Sequence, residues 1–397
     1  MCGPESAPLG APSLGAALNG MDSASFTQGA RAEEARKDVE IWLSELDETL
    51  SRRGAANSID FVSTGLSVTS MRKTYLAGLA LFIVALCAAD GIAADALRPK
   101  VAVPKDIQKI PDGYFDPSPQ PGTLQELTYQ TYESFSYHQK SRTLQKRAIV
   151  YLPYGYQKDQ PYDVFYLMHG GWGDETGTLG TPDKPSRFKN VIDHAVAAGD
   201  IRPLIIVCPT YNNTNENGRD SSNFSLAMRL TENFPSELVN DLIPAVEGRY
   251  RTFAATTRRE DVVASRDHRG FGGFSMGSVA TWRTFQHALN EFRYFLPMSC
   301  GTTLNDEQIF AAASGRRPED YFVFVMTGTS DFAYTYDQSR AQRMGASRVF
   351  VDVNRSASGN FAYRVKPGYS HNGTAAMEYT YNGMKAFWGG KAAARER

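Results

Sequence analysis

One serine in this chain has neighbours that suit a nucleophile. Ser275 lies in Gly273-Phe274-Ser275-Met276-Gly277, a G-x-S-x-G inside FGGFSMG. Small neighbours permit a sharp turn that projects the hydroxyl, at the cost of a strained backbone. A hydroxyl attacks an ester only when a base takes its proton and a third group holds that base in one tautomer. Of the six histidines, His371 is best placed as the base, in the loop PGYSHNGT before the last predicted helix. His287 falls inside the helix after the serine and faces the wrong way or lies too far down. Asp331 follows the apolar run YFVFVM and would sit at the C-terminal end of a strand, where catalytic loops gather. Asp337 and Asp320 are weaker candidates for the acid; Asp320 precedes the strand and belongs to its far end. Ser275, Asp331 and His371 therefore occur in the order Ser, Asp, His. An oxyanion formed at Ser275 needs two N–H donors. Met276 is the expected first donor, and a turn amide at Gly171 or Trp172 the second, in the HGGWG that follows the apolar run VFYLM. His169 of that cluster is expected to be structural.

These residues need a sheet to hold them. Residues 269–274 read as a short buried strand, and SVATWRTFQHAL as a helix with Val279, Trp282, Phe285 and Leu289 near one face. Further strands are expected at 123–137, 144–152, 164–168, 201–208, 294–298, 321–326 and 361–365, with β-like residues at Val349 and Phe350. Helices are expected at 188–198, from Pro235 onward within 226–250, at 337–344 and at 376–388. The polar stretch 209–224 is a loop able to rim the site. Alternating strands and helices imply one doubly wound, mostly parallel α/β sheet with helices on both faces, over residues 123–397.

The 397 residues carry a formal net charge of -1 with no basic stripe, which argues against nucleic acid as a partner. No C-x-x-C joins any of the four cysteines, so no zinc or redox motif is indicated, and no metal or cofactor is implied. Cys208 and Cys300 either pair or stay buried. Residues 1–30 are rich in Gly, Ala, Ser and Pro, and Val39, Trp42, Leu43, Leu46 and Leu50 recur at helical spacing. The segment 71–96 has the anatomy of a secretory signal peptide: Arg72 and Lys73, an apolar run over 76–89, then small residues. The run falls short of the roughly 20 residues of a membrane span. Met71 is expected to be the true start and 1–70 a non-native or disordered extension, with cleavage between Ala89 and Ala96. The product would be secreted or periplasmic, without stable membrane insertion. Residues 97–122 are a proline-rich, extended lead-in.

Five segments carry a family resemblance: YLPYGY (151–156), HGGWGD (169–174), GFGGFSMGS (270–278), TGTSDFAY (327–334) and GYSHNGTAAMEYTYNGMKAFW (368–388). Through them the chain, over about 125–388, resembles the esterase D-like α/β hydrolases, in the branch of feruloyl and acetyl xylan esterases. The resemblance implies an α/β-hydrolase fold, a serine esterase acting through an acyl-enzyme, and a triad at the matching positions Ser275, Asp331 and His371. It implies feruloylated or acetylated plant cell-wall carbohydrate as substrate, with Trp172 available to line the acyl or sugar site. Release of hydroxycinnamate is the leading expectation; acetyl xylan esterase, an acyltransferase of the same fold and a non-catalytic carbohydrate-binding relative are the alternatives. Two departures stand out. Asn372-Gly373 replaces a tryptophan often found after the histidine, and Ser299-Cys300-Gly301 differs from the common Ser-Gly-Asp.

Overall fold

The structure, a computed structural model, describes residues 101–214 and 220–390. The expected extension, its amphipathic helix and the signal segment all lie outside the described residues.

The strands are β1 (Thr123–Tyr132), β2 (Thr143–Leu152), β3 (Asp163–Met168), β4 (Leu204–Cys208), β5 (Arg269–Phe274), β6 (Tyr294–Met298), β7 (Phe322–Gly328) and β8 (Phe361–Lys366). They form one sheet in the order β1-β2-β4-β3-β5-β6-β7-β8. The hairpin β1/β2 is antiparallel, β2 is antiparallel to β4, and every pairing from β4 to β8 is parallel. The helices are α1 (Arg187–Ala197), α2 (Phe224–Glu237), α3 (Ile243–Glu247), α4 (Arg259–Ala264), α5 (Met276–His287), α6 (Asp306–Ala313), α7 (Tyr334–Ala346) and α8 (Gly373–Trp388).

The inner strands β4 and β6, and β7 as far as Met326, read as apolar runs because both faces of the sheet are covered. In β3, Val164, Tyr166 and Met168 point into a core shared with Ala227, Leu230 and Phe234 of α2 and Val279, Trp282 and Phe285 of α5. Phe165 and Leu167 point to the opposite core, with Val191 and Ile192 of α1 and Tyr379, Met384, Phe387 and Trp388 of α8. This is the doubly wound α/β-hydrolase architecture expected from the sequence.

The differences have local causes. The first strand ends at Tyr132, not at 137, because the Glu133 carboxylate accepts the Ser136 N–H and turns the chain. The strand expected at 201–208 begins at Leu204, after Pro203, which has no N–H to give to a ladder. The helix expected from Pro235 starts eleven residues earlier, at Phe224, where the Asn223 side chain caps it by accepting the Leu226 N–H. Pro235 lies in its last turn, and a π turn, Leu238–Leu242, follows. Val349 and Phe350 join no strand. The Asn360 side chain accepts the Val351 N–H (2.7 Å) and donates to Val349 O (3.0 Å), standing in for a strand partner.

The described part of the lead-in is strapped to the domain. Ala102 N–H donates to Ala386 O (2.9 Å), and the Asn382 side chain bonds both backbone groups of Gln108. Ile107 and Ile110 are buried against the α8 face. Cys208 and Cys300 are both free and buried, in the two cores on opposite faces of the sheet.

Candidate active site

Strand β5 is central, between β3 and β6, and its last residues align with Met168 and Met298. The chain leaves it through Ser275, whose φ of 61° and ψ of -118° are costly for any residue with a Cβ. The turn is locked from both sides. A Cβ on Gly273 would lie 2.7 Å from Gly277 Cα, and one on Gly277 only 2.4 Å from Met168 O. Both glycines are thus required by close backbone approach. The Ser275 N–H donates to Met298 O (2.9 Å), and Ser275 is the N-cap residue of α5. Met276, the first helical residue, has an N–H with no intrahelical partner, at the positive end of the helix dipole.

Asp331 and His371 come from loops after the neighbouring strands β7 and β8. Three bonds tie those loops together: Thr329 N–H to Lys366 O (3.1 Å), Ser330 N–H to Tyr369 O (3.1 Å) and Gly368 N–H to Thr329 Oγ1 (2.8 Å). The approach is close enough that a Cβ on Gly328 would meet Tyr369 O at 2.1 Å. The result is contact between His371 Nδ1 and both Asp331 oxygens, at 2.9 and 3.0 Å. Asp331 also accepts the Ala333 N–H at 2.8 Å. Burial by itself would raise the Asp331 pKa; the hydrogen bonds from His371, Ala333 and Ser299 outweigh it and hold the carboxyl below its ordinary value.

The His371 ring packs on Phe274, the residue before the serine, with ring centroids 4.5 Å apart. All three expected residues therefore gather at the C-terminal edge of the parallel strands. The weaker acid candidates lie elsewhere. Asp320 pairs with Arg317, and buried Asp337 accepts the Cys300 N–H (2.9 Å) and faces Arg340. Burial pushes the Asp337 carboxyl up to about 7.

The turn after β3 abuts the serine: a Cβ on Gly170 would lie 3.5 Å from Ser275 Cβ. Of the two expected second donors, Trp172 is corrected. At a φ of 58° its N–H is already given to Ser221 O (2.9 Å), so Gly171 is the one that remains. The Trp172 indole is 78% exposed. His169 is structural, as expected: its ring nitrogens meet Gly170 O and Thr210 Oγ1, both at 2.7 Å, and burial lowers its pKa to about 4.

A cavity of about 350 Å³ opens beside this turn. Gly170 and Phe274 line it next to the serine, and Phe188, Met298, Met377 and Thr380 line it further in. The sequence does not reveal these wall residues together, because they come from five separate places: the turn after β3, β5, α1, β6 and α8. Nor does the sequence give a role to Phe332 or to the departure at 299–301. Phe332 lies within TGTSDFAY, beside Asp331, but its ring direction is set by tertiary contacts. Asn372, one of the departures, has a local explanation: its side chain caps α8 by accepting the Ala375 N–H (3.0 Å).

The family model described as "Putative esterase" matches residues 142–388. The endo-1,4-beta-xylanase Y of Acetivibrio thermocellus is 34% identical over 286 residues, which is 70% of this chain and 24% of that protein. The chain spans about a quarter of the length of the curated relatives it matches. Among solved structures, one described as FAE is 33% identical with a TM-score of 0.62, covering 74% of this chain and 97% of its own. A serine-to-alanine mutant of the feruloyl esterase module from Clostridium thermocellum, complexed with sinapinate, is 32% identical with a TM-score of 0.61 over the same shares.

Proposed function

This chain belongs to the esterase family of the α/β-hydrolase fold, in its feruloyl and acetyl xylan esterase branch, and from that premise we propose that it is an exported serine esterase releasing ferulate or a related hydroxycinnamate from plant cell-wall polysaccharide. The observation that carries the proposal is the pair of contacts from His371 Nδ1 to Asp331, next to a serine on a strained elbow. With Nδ1 engaged, Nε2 is the nitrogen that takes the Ser275 proton as the hydroxyl attacks the ester carbonyl. Asp331 holds the tautomer and stabilises the imidazolium. The Met276 and Gly171 amides receive the oxyanion. The protonated histidine then gives its proton to the departing sugar oxygen. Water attacks the acyl-enzyme, with His371 again as base, and the free acid leaves.

Three features support a hydroxycinnamoyl group over acetyl. The cavity of about 350 Å³ beside the elbow is far larger than an acetyl group requires. Its walls include the Phe188 and Phe274 side chains, which suit a planar ring. A relative of 32% identity is described as complexed with sinapinate, itself a hydroxycinnamate. The exposed Trp172 indole offers a stacking face to the sugar. The test compares specificity constants for methyl ferulate and acetylated xylo-oligosaccharide on one preparation, with Ser275→Ala as the blank. Ferulate is expected to win by about ten- to a hundredfold, from roughly 1–3 kcal/mol of ring burial expressed in the transition state. A preference for the acetyl ester, with negligible ferulate release, would move the assignment to acetyl xylan esterase.

A further inference from the structure

Phe332 is 62% exposed, so burial does not explain its place. Its ring lies on the His371 imidazole, with centroids 4.3 Å apart and planes at 37°. Phe274 covers the histidine with a similar contact, at 4.5 Å and 39°. The bonds to Asp331 fix Nδ1 but leave the imidazole free to roll about that contact. Aromatic neighbours restrict the roll, and with it the direction of Nε2.

Gly301 makes the room for this ring. A Cβ there would lie 2.1 Å from Phe332 Cε2 and 2.8 Å from Cδ2. The backbone on either side of Gly301 is pinned to α7: Cys300 N–H donates to Asp337 Oδ2 (2.9 Å), and Arg340 Nη2 donates to Thr302 O (3.1 Å). Asp337 and Arg340 belong to the helix that starts two residues after Phe332. Of the two neighbours, the pinned glycine backbone is the stiffer, and the exposed phenyl ring is the one that would yield.

We propose that Phe332 is a positioning residue for His371, and that Gly301 is a glycine so that the Phe332 ring can reach the imidazole. The proposal rests on the reading of Ser275 and His371 as nucleophile and base. It is tested by timing the labelling of Ser275 with a fluorophosphonate, which needs no knowledge of the natural ester. Phe332→Ala is expected to lower the maximal labelling rate by about tenfold while the half-saturating concentration stays within about twofold. Phe332→Tyr keeps the ring and is expected to label at nearly the wild-type rate. Gly301→Ala, which leaves Phe332 in place but displaces its ring, is expected to lose as much as Phe332→Ala. Because the two changes act on one contact, the double variant is expected to be no slower than the slower single variant.

Labelling of Phe332→Ala and Gly301→Ala at the wild-type rate would overturn the proposal, as would losses that multiply in the double variant. A raised half-saturating concentration with an unchanged maximal rate would also overturn it, since the ring would then act in binding. If Phe332→Ala loses its cooperative melt, Gly301→Ala and Phe332→Tyr decide between these outcomes. Absence of labelling at Ser275 in the wild type is a separate result, and it refutes the nucleophile assignment itself.

Discussion

His371 Nδ1 lies within 3.0 Å of both oxygens of Asp331, and the two residues reach each other from loops that β7 and β8 hold side by side. The contact fixes the tautomer, so Asp331→Asn is expected to reverse the ring's proton preference while sparing the fold. The maximal rate should fall by about a thousandfold or more, with a small change in KM. Steady-state kinetics on methyl ferulate checks this; a loss below about tenfold would remove Asp331 from the mechanism.

Ser275 holds a backbone conformation that suits glycine. Ser275→Ala and Ser275→Gly should both lose turnover, but their stabilities should differ. The glycine variant relieves the elbow strain and is expected to be the more stable by about 1 kcal/mol, net of its greater unfolded-state entropy. Urea unfolding of the two variants measures the difference. A less stable glycine variant would mean that the elbow is not strained.

The cavity beside the Gly170–Gly171 turn can be filled from α8. Ala376 and Met377 both line it. Ala376→Phe is expected to cut the specificity constant for methyl ferulate by about tenfold or more and leave 4-nitrophenyl acetate within about threefold. Equal losses on both esters would show that the cavity does not receive the acyl group.

The buried carboxyl of Asp337, whose pKa is raised to about 7, makes stability depend on pH. The folded state keeps this proton up to about pH 7, whereas the unfolded chain releases it near the ordinary carboxylate value. The contribution is therefore fully favourable at acid pH and is lost as pH rises toward 7. Asp337→Asn keeps an acceptor for the Cys300 N–H and does not ionise. Its melting temperature should gain on the wild type between pH 5 and pH 8, and a constant offset across that range would refute the assignment.

The fifth expectation concerns export. Arg72, Lys73 and the apolar run at 76–89 predict cleavage between Ala89 and Ala96. N-terminal sequencing of the secreted protein checks it. A secreted product that keeps residues 1–70 would refute it.

The fold class, and the order in which Ser275, Asp331 and His371 follow their strands, are legible in the chain's own residues. The run at β6 is apolar throughout, because a strand covered on both faces demands it, and the bounds of β5, β6 and β8 are legible to within a residue. Ser275 announced itself through Gly273 and Gly277, each excluded from carrying a Cβ by backbone less than 3 Å away. Asp331 and His371 were legible as residues just beyond strand ends. Helix α2 was misplaced because Pro235 looked like a first-turn proline, while the cap at Asn223 carried the true start. Direction and occupancy are set by contacts between distant elements. The Trp172 amide is taken by Ser221, the Phe332 ring turns onto His371 through the gap at Gly301, and the cavity walls meet from β3, β5, α1, β6 and α8. Strand ends and tight turns leave a local signature because they are set by backbone sterics within a few residues. Which amide is already bonded, and which ring covers which, depends on residues far apart in the chain that meet only when the sheet is assembled.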